Sequence, residues 1–176
     1  PAYSVVCDGA EGARLATLEL LRNGHRDIVF IGQKGPSRIK GFLDAITEAG
    51  IDSPKERLFV SPSYTGPLFG LFRQALRRFP KLTAIMTPSD DDAFLLIKEA
   101  KRLGLNIPGD ISLTGFGNIP EVCEPYELTS VEQHPSELGR LAVKKLIEII
   151  DGDCKEKSFM EFSPCELVRR NSVRHT

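Results

Sequence analysis

The chain has 176 residues, of which 41% are hydrophobic and 27% are charged, and its formal net charge is −1. This composition is typical of a globular protein, and the near-neutral charge does not support a nucleic-acid-binding surface. No apolar run approaches the roughly 20 residues needed to span a bilayer. Four cysteines lie far apart without a C-x-x-C pair, which favours reduced thiols and no metal site. The chain begins at Pro1, and we expect it to be part of a longer protein.

Strands are predicted where short apolar or β-branched runs are bounded by turn residues. These runs lie at residues 3–7, 27–31, 58–60, 82–87, 111–114 and 128–132, and near 159–162 and 166–168. Helices are predicted where apolar residues recur at helical spacing between a start signal and a glycine or proline. These segments lie at residues 12–23, 37–50, 68–79, 89–104 and 135–150. The alternation predicts an α/β fold with a doubly wound parallel sheet.

Three further expectations concern the loops and the carboxyl-terminal part of the chain. The loop 61–67 carries one aromatic residue, Tyr64. Helix 135–150 has apolar residues on more than one face, which predicts burial on two sides. The tail 169–176 is polar, and we expect it to fray.

Residues 82–118 are the unit from which a functional site is predicted. They read as strand, crossover helix and strand, which implies parallel neighbours in one sheet. Ligands of open parallel sheets bind at the carboxyl ends of the strands. Here those ends carry Ser89, Asp90, Gly117 and Asn118, so we expect the site there.

Four stretches, in this order, resemble one family. They are EGARLATLELLRNGHRDIVFIG at 11–32, SRIKGFLDAITEAGI at 37–51, IPGDISLTGF at 107–116 and LTSVEQHPSELGRLAVKKLIEII at 128–150. Together they resemble the effector-binding domain of lactose/galactose-repressor-type transcription regulators, which has a periplasmic-binding-protein-like fold of two lobes. The resemblance implies that a helix-turn-helix, a hinge helix and most of the first lobe precede this chain.

The resemblance also implies how the chain is divided between the two lobes. Residues 1–23 would be a first-lobe remnant, and residues 24–132 the second lobe. Residues 133–157 would hold the crossover and a first-lobe helix, and residues 158–176 would return to the second lobe and end in the tail.

Matched position by position, the resemblance implies a set of ligand-binding residues. Together with the strand-end residue Asn118, the set is Glu11, Arg38, Tyr64, Ser89, Asp90 and Gln133. Gly117 stands where the family usually has aspartate, so the resemblance does not fix a standard sugar specificity. The residue types suit a polyol, because carboxylates and guanidinium groups bind hydroxyls and an aromatic ring packs against a sugar face.

Each candidate also has a structural interpretation. On sequence alone, Asp90, Asp91 and Asp92 are favoured as parts of a helix start, and the strand-end position supports a functional role for Asp90 only. Arg38 taken alone would be a solvated surface residue, and Tyr64 could pack within its loop. His25 is predicted to be structural, whereas His134 beside Gln133 is a weak candidate for the pocket.

We therefore predict the effector-sensing and dimerisation part of a bacterial, cytoplasmic repressor, without catalytic activity, cofactor or metal. The resemblance implies a homodimer formed by the helices near residues 68 and 93 and the loop 121–126, and DNA binding only through the preceding helix-turn-helix. One alternative is an extracytoplasmic solute-binding protein of the same fold. Another is a magnesium-dependent phosphoryl-transfer enzyme using Asp90, although the chain has no P-loop and no G-x-S-x-G motif.

Overall fold

A computed structural model describes residues 3–33, 35–61, 68–152 and 158–176. The strands are β1 (Tyr3–Cys7), β2 (Ile28–Gln33), β3 (Leu58–Ser61), β4 (Ala84–Met86), β5 (Ser112–Phe116), β6 (Thr129–Glu132), β7 (Phe159–Ser163) and β8 (Glu166–Val168). The α-helices are α1 (Gly9–Arg22), α2 (Pro36–Glu48), α3 (Leu68–Arg78), α4 (Asp90–Arg102), α5 (Pro120–Cys123) and α6 (Pro135–Ile150), and Pro54–Arg57 form a short 3₁₀ helix. Within the described residues, no helix is long and apolar enough to cross a membrane.

The large sheet has six strands in the order β3-β2-β4-β5-β6-β8. All neighbouring pairs are parallel except β6 and β8. One apolar core lies between this sheet and α1 and α2, and it includes Phe30 and Phe42. A second core lies on the other face under α3, α4 and α5, and it includes Phe72 and Leu96. The predicted doubly wound α/β fold is confirmed.

The small sheet contains only two described strands, β1 and β7, which run parallel with Cys7 opposite Ser163. Helix α6 packs against β1. None of the residues of α6 is buried by the described part of the chain. Its apolar side chains reach an exposed fraction of 72% at Ile150. The predicted burial of this helix on two sides is therefore wrong for the described structure, because only one side of the helix has a sheet against it.

Residues 1–23 are divided between the two sheets, and their assignment to the first lobe stays a prediction. Strand β1 belongs to the small sheet, but α1 packs along α2 and contributes Ala13 and Leu20 to the core of the large sheet. The contact with α2 is close, since a Cβ atom added to Gly41 would lie 1.9 Å from the Ala10 carbonyl oxygen. The segment 158–176 is also divided, because β7 pairs with β1 and only the residues from β8 onward join the large sheet.

The carboxyl-terminal tail is tied to the large sheet, so the predicted fraying is wrong. Ser172 is 1% exposed, and its hydroxyl donates to the Leu113 carbonyl oxygen at 2.6 Å. The backbone N–H of Leu113 in turn donates to the Ser172 carbonyl oxygen at 2.9 Å. At the chain end, the Thr176 N–H donates to the Asn23 carbonyl oxygen at 2.9 Å. These hydrogen bonds pair the backbone groups of the tail with the rest of the protein, and the polar composition of the tail does not reveal this pairing.

Candidate ligand-binding site

A cavity of about 250 Å³ opens where β2 and β4 end. It lies at the carboxyl edge of the parallel sheet, the usual ligand position in this class of fold. Its walls come from the turn after β2, the first turn of α2 and the start of α4. The lining residues are Gln33, Gly35, Arg38, Pro88, Ser89, Asp91 and Asp92.

Arg38 projects from the first turn of α2 and is held in place on two sides. Its Nη1 atom donates to the Pro88 carbonyl oxygen at 2.5 Å, and its Cζ atom lies 3.9 Å from the centroid of the Phe116 ring. Burial lowers the pKa of Arg38, and the thiols of Cys7 and Cys165 oppose that shift. A guanidinium group held over an aromatic ring is a preorganised donor for hydroxyl, carboxylate or phosphate oxygens.

The start of α4 forms the opposite wall of the cavity. Ser89 is the N-cap of this helix, and its hydroxyl accepts from the Asp92 N–H at 3.1 Å. The Asp92 carboxylate accepts from the backbone N–H of Gln33 at 3.1 Å and from its side-chain amide at 3.4 Å. Burial raises the pKa of Asp92, while the hydrogen bonds from Gln33 and Ser89 act in the opposite direction. Asp91 is exposed beside it, so this wall offers a carboxylate to a polar ligand.

Asp90, predicted to bind the ligand, is turned inward and is 0% exposed. Its carboxylate accepts from the Ser130 hydroxyl at 2.6 Å, the Ile119 N–H at 2.8 Å and the Cys123 thiol at 3.5 Å. A Cβ atom added to Gly115 would lie 2.2 Å from an Asp90 carboxylate oxygen, so the contact requires glycine. In this structure Asp90 joins α4 to the loop after β5 and to β6, and it does not line the cavity. Ligand binding by Asp90 remains a prediction.

Asn118 follows β5 and is engaged by neighbouring protein groups. Its amide donates to Glu132 at 2.8 Å and accepts from Arg170 at 2.8 Å. Burial acts to raise the pKa of Glu132, but hydrogen bonds from Asn118 and from the N–H groups of His134 and Gln133 outweigh it, and the pKa lies below its usual value. The loop after β5 is thereby tied to the end of β6.

The remaining predicted residues lie apart from the cavity lining. Gln133 sits where the chain leaves β6, and its Oε1 atom accepts from the Cys7 thiol at 3.3 Å. Glu11 is exposed on α1, 3.8 Å from Arg14. Tyr64 lies outside the described residues. The structure thus brings Arg38 and Ser89 to one cavity, and ligand binding by each of the predicted residues stays a prediction.

The two histidines for which a role was predicted lie in different surroundings. His25 is buried, and its ring nitrogens contact the Thr83 hydroxyl at 2.9 Å and the Arg174 carbonyl oxygen at 3.1 Å. His134 lines a larger hollow of about 380 Å³ between α6 and the end of β7. That hollow is formed by the small sheet and its helix, so we place the candidate site in the smaller cavity at the strand ends.

Sequence reasoning missed Gln33 and underrated Asp91 and Asp92 as lining residues. Gln33 ends a strand next to the central one, which was an available signal because carboxyl ends of parallel strands share one edge. Asp91 and Asp92 were predicted to be helix-start residues, and they are, but they also line the cavity. No cluster of three or more metal-ligating side chains occurs among the described residues.

The chain matches known proteins along nearly its whole length. The family model for the periplasmic binding protein-like domain matches residues 17–173. The HTH-type transcriptional repressor PurR of Glaesserella parasuis serovar 5 is 32% identical over 179 residues, covering 94% of this chain and 52% of that protein. The chain therefore spans about half the length of the curated relatives that it matches.

Solved structures of transcriptional regulators also match this chain along nearly its whole length. A transcriptional regulator CelR in complex with cellobiose superposes with a TM-score of 0.86 at 25% identity, covering 97% of this chain and 54% of that one. A LacI family transcriptional regulator from Enterococcus faecium with bound ribose superposes with a TM-score of 0.79 at 27% identity, covering 99% and 66%. The chain therefore belongs to the periplasmic binding protein-like domain family, as the effector-binding domain found in lactose-repressor-family (LacI) transcriptional regulators.

Proposed function

We propose that this chain senses a small polar molecule, such as a sugar, for a bacterial transcriptional regulator of the repressor type, and that it has no catalytic activity. The observation that carries the proposal is the cavity at the carboxyl ends of β2 and β4. There a ring-stacked Arg38 faces the polar start of α4 across a gap open to solvent. The cytoplasm is the expected location.

The lining chemistry supports binding of a hydroxyl-rich ligand. Arg38 offers N–H donors, Asp91 offers acceptor oxygens, and the amide of Gln33 can do both. A carboxylate can accept from two neighbouring hydroxyls of one sugar ring. Cellobiose and ribose are the molecules bound in two of the similar structures, which supports a sugar as the first class to test.

The longer regulator would supply the parts that this chain lacks. DNA binding would reside in a helix-turn-helix outside this chain, as the name of the PurR relative indicates for that protein. The exposed apolar face of α6 would pack against further residues of the first lobe. A homodimer would form through α3, α4 and the loop 121–126, where Phe69, Leu95 and Tyr126 are exposed.

Thermal unfolding of the protein against a panel of sugars, sugar phosphates and nucleobases tests this function. A ligand that binds only the folded state raises the melting temperature in proportion to the logarithm of its concentration above Kd. Arg38→Ala should weaken the response at least tenfold in ligand concentration, because it removes the ring-stacked donor. Lys40→Ala is the matched control, since Lys40 lies on the same helix and pairs with Asp44 at the surface.

Two outcomes would contradict the proposal. If Arg38→Ala responded to the ligand as strongly as Lys40→Ala does, the cavity would not be the binding site. If no compound raised the melting temperature, but magnesium with phosphate did, the phosphoryl-transfer alternative would be favoured.

A further inference from the structure

Three chain segments cross between the small sheet and the large one, and they meet at one point. The first crossover follows β1 at Asp8, the second follows β6 at Gln133, and the third joins β7 to β8 through Cys165. The Asp8 N–H donates to the Ser163 carbonyl oxygen at 3.1 Å. The Cys165 thiol donates to the Asp8 carbonyl oxygen at 3.4 Å. The Cys7 thiol donates to Gln133 Oε1 at 3.3 Å, so thiol groups take part in two of the contacts that hold the crossovers together.

Cys7 and Cys165 come from opposite ends of the chain, yet they are close neighbours in the fold. The Cys165 thiol lies 3.4 Å from the carbonyl oxygen of Asp8, the residue after Cys7, and each thiol influences the pKa of the other. Both are only partly buried and are not joined in a disulfide. The neighbouring Cys165 thiol lowers the pKa of Cys7 to about 7, with the Arg38 guanidinium adding to the shift and burial opposing it. Cys7 is therefore the thiol of this pair with the larger thiolate fraction at neutral pH, and the thiolate is the nucleophilic form.

Cys123 shows what an inert thiol looks like in the same protein. It is 0% exposed, and burial together with the Asp90 carboxylate raises its pKa to about 12. Cys7 and Cys165 thus differ from Cys123 in exposure and in charge environment, and Cys123 serves as an internal control.

We propose that Cys7 and Cys165 are a reversible oxidation site, a dithiol that hydroperoxides convert into a disulfide locking the first crossover to the third. The Cys7 thiolate attacks a peroxide oxygen, the O–O bond breaks, and the products from hydrogen peroxide are a Cys7 sulfenic acid and hydroxide, which takes up a proton. The Cys165 sulfur then attacks the Cys7 sulfur and displaces water. In total, two thiols and one hydrogen peroxide give one disulfide and two waters.

The second step is eased by the first. The interaction with Cys7 is the largest cause that raises the pKa of Cys165, followed by burial and the charge of the Cys7 thiolate. Oxidation of Cys7 removes that negative charge, so Cys165 ionises more readily beside the sulfenic acid. A small dithiol or a thioredoxin-type reductant would restore both thiols by exchange.

The disulfide would act on the junction of the two sheets. The two hydrogen bonds from the thiols, to Gln133 and to the Asp8 carbonyl oxygen, can rearrange. The disulfide would replace them by a covalent link between two crossovers, and these crossovers must move if the lobes close by rotation. It would also remove the partial negative charge of Cys7 from beside Arg38. An effect on effector affinity rests on the function proposed above, whereas the oxidation itself does not.

The test treats the reduced protein with a small molar excess of hydrogen peroxide and reads the product by mass spectrometry. We expect an intact mass lower by two hydrogens and a cross-linked pair of tryptic peptides containing Cys7 and Cys165, both reversed by dithiothreitol. Cys165→Ser should leave a sulfenic acid on Cys7 that dimedone traps, and Cys7→Ser should abolish the product. Cys123→Ser is the matched control and should cross-link like the parent.

A second measurement separates the proposed chemistry from simple exposure. The rate of Cys7 alkylation by iodoacetamide should rise with a midpoint near pH 7. Cys165→Ala should shift that midpoint upward, because it removes the neighbouring thiol that lowers the pKa of Cys7. The proposal is overturned if peroxide yields only over-oxidised Cys7 without the cross-link. It is equally overturned if Cys165→Ala leaves the alkylation midpoint unchanged. Effector binding measured in dithiothreitol is independent of both results.

Discussion

Replacement of Asp90 by alanine should destabilise the fold itself, whatever happens to a ligand. The carboxylate accepts two strong hydrogen bonds, from Ser130 at 2.6 Å and Ile119 at 2.8 Å, and a weaker one from Cys123. A hydrogen bond to a charged group contributes about 1.5–3 kcal/mol, and the donors left behind are buried. We expect Asp90→Ala to lower the free energy of unfolding by about 3–5 kcal/mol, a large part of the roughly 5–15 kcal/mol of a typical domain.

Urea titration followed by far-UV circular dichroism measures this loss by linear extrapolation. Asp91→Ala is the control, because it removes the same charge from the same helix turn at an exposed position. We expect the control to change stability by no more than about 1 kcal/mol, the size of a helix-dipole interaction. If both variants were equally stable, Asp90 would not be the buried link described above, and its predicted role in ligand binding would regain support.

Two further predictions concern packing and pH. Gly41→Ala should destabilise the protein by about 1–3 kcal/mol, because its methyl group would meet the Ala10 carbonyl oxygen. Gly139 lies in a different helix, α6, where an added methyl group would meet no atom within 4 Å. Gly139→Ala should therefore stabilise the protein by up to about 1 kcal/mol in the same denaturation assay. Burial lowers the pKa of His25 below its usual 6.5, so the unfolded chain binds more protons just below pH 6.5 and stability should fall as the pH drops from 7.5 to 5.5. His25→Gln should lose that part of the pH dependence, and an unchanged slope would contradict the assigned cause.

The local features of the chain followed from sequence patterns because short-range physics controls them. Ser89 was predicted to cap α4, and its hydroxyl does accept a hydrogen bond from the N–H of Asp92, three residues later. Helix α6 was predicted at the bounds that it adopts, with Pro135 in its first turn. Such capping and periodicity rules depend on neighbours within one or two turns. The whole-chain order of these elements then resembled one family, which the comparisons confirmed.

Sequence alone determined the α/β class and the family, and it predicted a site at the strand ends. Which side chains meet was decided only by the tertiary structure. Three successive aspartates begin α4, and the packing of that helix against β5 and β6 turns Asp90 inward and leaves Asp91 at the cavity. The tail looked polar enough to fray, yet its backbone finds partners along β5. Cys7 and Cys165 are far apart in the sequence, and the crossovers between the two sheets place them close together in the fold. Such contacts join residues distant in the chain, and no local rule encodes the rotation of one element against another.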